Sequence, residues 1–135
     1  MFKKAEVTSF DKILLKISGM RGSVEYEILC RKSETEISLY QFYYRQNGEE
    51  RELCKQGFCD TNEFIAFLND CGIMRWDGFE GKHPRGVLDG RMFRFYAEVN
   101  GGTTIRANGS ENFPRHFRDF EDKICSLIHD VTQDS

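Results

Sequence analysis

Apolar residues recur at every second position at Ile13, Leu15 and Ile17, with Leu14 and Lys16 between them. They recur again at Val24, Tyr26, Ile28 and Cys30, alternating with Glu25, Glu27, Leu29 and Arg31. A period of two marks extended backbone with one buried face, because successive side chains point to opposite sides. Gly19 and Gly22 break the run between them, so two strands joined by a turn are predicted. A third strand is expected over Ile37 to Arg45, rich in aromatic and branched residues and followed by Asn47-Gly48, a pair suited to the positive φ of a tight hairpin turn. A two-residue loop there sets Arg45 opposite Glu50, Tyr44 opposite Arg51 and Phe42 opposite Leu53. That register puts an ion pair on one face and Tyr40, Phe42 and Tyr44 on the other.

The period then changes to that of a helix. Phe64, Phe67, Leu68 and Cys71 share one helical face, Asp60 can accept from the free amides at the start with Glu63 three residues on, and Gly72 can stop the helix, predicting residues 61–71. Alternation returns around Asn100-Gly101-Gly102. If all three form the loop, Val99 faces Thr103, Ala97 faces Ile105 and Phe95 faces Ala107, which gathers the apolar residues on one side. A two-residue loop would set Phe95 against Arg106, so the longer loop is expected. A last helix is predicted from Pro114, with Ser110 and Asn112 available as caps and Phe113, Phe117, Phe120, Ile124, Leu127, Ile128 and Val131 as its apolar stripe. The expected class is α+β, an antiparallel sheet built from hairpins and packed on one face against two amphipathic helices, in a single domain over residues 1–135.

Composition narrows the functional classes. With 135 residues, 12 Phe and only two prolines, the chain can fill one core without disulfide staples. A net charge of −3 makes nucleic acid an unfavoured partner and gives no reason to expect a membrane surface. The opening MFKKAEVTSFDKILLK is charged throughout and holds no apolar run of signal or membrane-span length, so a cytoplasmic location is expected. The five cysteines lack paired CxxC spacing and are expected as thiols.

Candidate chemistry concentrates in two places. Residues 76–90 hold four glycines with no periodicity, and a long connection of that kind is usually functional or plugs an open end of the sheet. Trp76, Asp77, Phe79, His83, Arg85 and Asp89 are its candidate binding residues. The arginines crowd into the second half, and Arg94, Tyr96, Arg106 and Asn108 are expected on the hairpin face turned from the core, a composition shared by protein interfaces and single-strand stacking platforms. Asp77, Glu80, His83 and Asp89 carry metal-ligating atoms, but their spacing fits no HExxH or EF-hand pattern. Cys54, Cys59 and Cys71 lack zinc-knuckle spacing, and Cys59 with His83 or His116 lacks a nucleophile motif. No metal and no cofactor is expected.

From Trp76 to Phe120 the segments WDGF, VLDG and NGSENFPRHF flanking a hairpin resemble those of a group of small uncharacterised bacterial proteins of Firmicutes type, with Glu111-Asn112 and His116 departing from its pattern. The resemblance implies a soluble bacterial domain and carries over no catalytic residue. The expected function is a non-enzymatic binding or interaction module that uses the 76–90 loop and the Arg/Tyr hairpin face for a protein partner or an acidic ligand. A metal-dependent hydrolase and a single-stranded nucleic-acid binder are the alternatives, and the sequence leaves a homodimer open.

Overall fold

The computed structural model describes residues 6–20, 22–46, 48–87 and 90–131. The elements are β1 (Phe10–Gly19), β2 (Gly22–Arg31), β3 (Glu34–Arg45), β4 (Gly48–Asp60), α1 (Thr61–Cys71), β5 (Glu80–Gly81), β6 (Met92–Val99), β7 (Thr103–Ser110), α2 (Phe117–Ser126) and β8 (His129–Asp130), with a 3-10 turn at Ile73–Trp76. The strands form one sheet in the order β5-β7-β6-β1-β2-β3-β4-β8, antiparallel except for the β5–β7 pair. The fold therefore mixes a largely antiparallel sheet with two helices.

The period-two runs build the core as expected. Ile13 pairs with Ile28 and Ala97, Leu15 with Tyr26 and Phe95, and Ile28 with Ile37, all of them buried. Helix residues meet this row. The Phe10 and Phe64 ring centres lie 5.6 Å apart, those of Phe95 and Phe120 5.8 Å, and those of Phe93 and Phe117 4.8 Å. Burying each such side chain contributes about 1.5–3 kcal/mol.

Helix α1 has the predicted bounds. Asp60 accepts from the Glu63 amide at 3.0 Å, and Gly72 ends the helix at φ 67°, a conformation that penalises any side chain. The second hairpin also has the expected register, with Val99 facing Thr103, Ala97 facing Ile105 and Phe95 facing Ala107.

Three expectations are corrected. In the first hairpin Arg45 pairs with Gly48, so Phe42 faces Arg51 and Tyr40 faces Leu53, a displacement of two from the predicted register; Asn47 lies outside the described residues. The displacement seats the Arg51 guanidinium 3.9 Å from the Tyr40 ring centre and 2.9 Å from Glu25. Because it is even, the faces are preserved, and Arg45 still reaches Glu50 at 3.1 Å.

Helix α2 starts at Phe117, not Pro114, because His116 sits at φ 69° and Pro114 belongs to a preceding turn whose carbonyl accepts from Phe117 N. The two expected caps serve elsewhere: Ser110 pairs with Met92 in the sheet and the Asn112 amide donates to the Lys82 carbonyl. The helix also stops at Ser126, and residues 129–130 pair with β4 as β8.

The 76–90 connection, finally, is no free loop. It opens in the 3-10 turn and gives β5, which runs beside β7. No helix among the described residues is long and apolar enough to cross a membrane.

Candidate functional site

The two regions singled out in the sequence are fastened to each other. Arg106 N donates to the Asp77 carboxylate at 3.0 Å, Gly78 N donates to the Arg106 carbonyl at 2.8 Å and Asn108 N donates to the Phe79 carbonyl at 3.0 Å. This ladder lays residues 77–81 along the outer edge of β7. Gly109 permits the approach: a Cβ there would stand 2.2 Å from the Asn112 carbonyl oxygen and 2.8 Å from the Phe93 ring.

Farther along, the His83 imidazole bridges two groups. Its Nε2 lies against the Val87 carbonyl and its Nδ1 is 2.7 Å from Ser110 Oγ. A carbonyl can only accept, so Nε2 carries a proton that it donates to Val87. The imidazole thus clasps the loop to the end of β7.

Beside this clasp is a groove of about 440 Å³ lined by Lys16, Ser18, Met92, Arg94, Asn108 and Ser110 together with Gly81, Phe93 and Gly109. Register explains the meeting of its side chains: Lys16 pairs with Arg94, which pairs with Asn108, and Ser18 pairs with Met92, which pairs with Ser110. Among the described residues two cations line it and no carboxylate does. Arg94 enters no ion pair among the described residues, whereas Lys16 reaches Glu49 at 3.8 Å.

One step along the same face, the Arg106 guanidinium lies 5.0 Å from the Tyr96 ring centre. The Tyr96 hydroxyl donates to Glu98 at 2.7 Å, a bond that, with the charge of Glu98, raises its pKa above the ordinary phenol value. The surface thus presents a guanidinium stacked on an aromatic ring beside a cationic groove, an arrangement able to hold carboxylate or phosphate oxygens.

The remaining candidates are dispersed. Trp76 is 2% exposed, packs on Phe95 and Phe120 and donates its indole N–H to the Arg115 carbonyl at 3.0 Å, so it plugs the core and offers no binding surface. Phe79 is half-buried, its ring centre 6.1 Å from that of Phe93. Arg85 is exposed on the loop beyond His83, and Asp89 lies outside the described residues.

Asp77 is engaged by the Arg106 amide and His83 by Ser110 and Val87. Among the described residues no three His, Cys, Asp or Glu side chains gather as a metal site. Cys59 lines a different groove with Lys123 and Phe64, away from His83, and burial raises its thiol pKa.

Lys16, Ser18 and Met92 are side chains of the groove that sequence reasoning missed. The alternation of Lys16 and Ser18 in β1 was readable, but their neighbour β6 lies far along the chain, and no local signal announces that pairing. No family model, curated protein or solved structure matches the chain.

Proposed function

We propose that the chain is a non-enzymatic interaction module that holds an acidic ligand on the side of the sheet turned away from its two helices. The observation that carries this reading is the groove in which Arg94, free of ion pairs among the described residues, stands with Lys16, Asn108 and Ser110, and which no carboxylate among the described residues lines. The Tyr96–Arg106 pair extends the surface, and the His83 clasp holds the groove's outer wall. An acidic group seated there exchanges water for charge-assisted hydrogen bonds, each contributing about 1.5–3 kcal/mol at best and less where solvent screens it.

The test is titration of the isotope-labelled protein with an oligoglutamate peptide and, separately, inorganic phosphate. Amide shifts at Arg94, Asn108 and Ser110 are expected, with affinity falling as salt rises and dropping roughly tenfold in Arg94→Ala. No shift with either probe, or unchanged affinity in Arg94→Ala, would overturn the reading. A single-stranded oligonucleotide binding in preference to oligoglutamate would replace it with a stacking platform at Tyr96 and Arg106.

A further inference from the structure

The sheet face that carries the groove is not a simple solvated surface. The face opposite the core of an antiparallel sheet is ordinarily polar, yet by register Leu14, Leu29, Phe42 and Leu53 lie on it, half-buried, and Met92 and Phe58 lie on it 53% and 51% exposed. Its charges are sorted by strand. Lys12, Lys16, Arg94 and Arg106 stand on β1, β6 and β7, while Glu25, Glu27, Glu34, Glu36 and Glu49 stand on β2, β3 and β4. The boundary runs between β1 and β2. Glu98, Arg31 and Arg51 are the exceptions: Arg31 lies 3.6 Å from Glu36, Arg51 is held by Glu25 and Glu27 at 2.9 and 3.5 Å, and Lys16 reaches across the boundary to Glu49 at 3.8 Å.

A face positive on one half and negative on the other is complementary to itself. Turning a second copy by half a revolution about an axis parallel to the strands, along the β1–β2 boundary, lays each positive half over a negative half. This is the isologous geometry of a two-fold dimer. The area is sufficient: six strands about 4.8 Å apart and about eight residues long at about 3.3 Å each cover roughly 700 Å². Stable interfaces bury about 600–1,000 Å² per partner.

Association through the sheet margins is disfavoured. The outermost strands β5 and β8 are two residues each, and the part of β4 beyond β8 carries Glu49, Glu50, Arg51 and Glu52. We infer that this face joins a second copy of the chain face to face, with Glu25 of one copy laid over Lys16 of the other and Tyr40 over Arg94. The inference rests on the reading of the cationic half as a seat for acidic groups, and it names the partner that supplies them.

Light scattering over a concentration series tests it. The wild-type chain is expected at twice its 15.8 kDa mass at tens of micromolar. Lys16→Glu with Arg94→Glu, and separately Glu25→Lys with Glu27→Lys, should each weaken the dimer by at least tenfold. An equimolar mixture of the two variants should restore a particle of dimer mass, because each then offers the charge the other lacks. Glu25 and Glu27 also hold Arg51, so Glu25→Lys alone, which leaves Glu27 beside Arg51, serves as a second acid-side variant if circular dichroism shows the first to be unfolded.

A monomeric wild type overturns the inference while leaving oligoglutamate binding by the single chain intact. A dimer that persists in both charge-reversed variants overturns it as well, by placing the contact elsewhere. A dimer rescued by mixing, in a protein that ignores oligoglutamate and phosphate, upholds the inference and removes the small-ligand reading.

Discussion

Cys71 and Tyr26 are acids that the fold keeps neutral. Cys71 is 3% exposed, and burial, helped by Asp119 and Asp70, pushes its thiol from 9.0 up to about 12. Tyr26 is raised far above its ordinary 10.0, first by burial and then by the bond between its hydroxyl and Cys125 Sγ at 2.9 Å. A group whose pKa is raised on folding contributes stability that is complete below its unfolded pKa and is lost as pH climbs through the folded value. Urea stability is therefore expected to be level through neutral pH and to fall above about pH 9, first through Cys71 and then, above about pH 10, through Tyr26. Each group can contribute a slope of up to about 1.4 kcal/mol per pH unit. Unfolding midpoints across pH 7–11 check this, and Cys71→Ala and Tyr26→Phe should each flatten their own part of the decline.

At the scale of elements, the close of the chain is governed by one glycine. A Cβ at Gly57 would stand 1.7 Å from the Leu127 carbonyl oxygen, so the turn from α2 into β8 crosses β4 where only a hydrogen fits. Gly57→Ala is expected to cost about 2–3 kcal/mol and to free β8, seen as faster hydrogen exchange at His129 and Val131 with little change at Phe95. The same crossing explains why α2 was read too long. Leu127 and Ile128 continue its apolar stripe in the sequence, but Ile128 is buried from the turn that precedes β8. Pro114 was a real signal placed one turn early, because nothing in the sequence marks His116 as the left-handed residue that delays the helix.

The hairpins show the same division. The Asn100-Gly101-Gly102 loop was legible to the residue because only one register kept Phe95 off Arg106. In the first hairpin two even registers keep the same faces, and choosing between them needed Glu25 and Glu27 on β2 to draw in Arg51. Arg94, Tyr96 and Arg106 could be grouped because a hairpin is local. Lys16 could not, since its place beside Arg94 depends on a pairing across most of the chain.

On the scale of the whole molecule, Trp76 is the only tryptophan and sits where sheet, 3-10 turn and α2 meet, against Phe95, Phe117 and Phe120. Its fluorescence should follow the same urea transition as far-UV circular dichroism. Divergent midpoints would show that the β1–β4 meander and the second hairpin unfold as separate units. The order of the strands in space also sets an order in time. β1 is first in the chain yet central in the sheet, and its second neighbour, β6, begins only at Met92. While the ribosome is still adding residues 20–91, a nascent chain can close β1 against β2 but leaves its other row of backbone groups open. Phe10, Ile13, Leu15 and Ile17 then wait for Phe93, Phe95 and Phe120 to cover them. Maturation is thus gated by the last third of the message, and until that third emerges the growing chain carries at its centre the adhesive edge that the finished protein keeps at its margins, in two-residue strands and the charged stretch of β4 beyond β8.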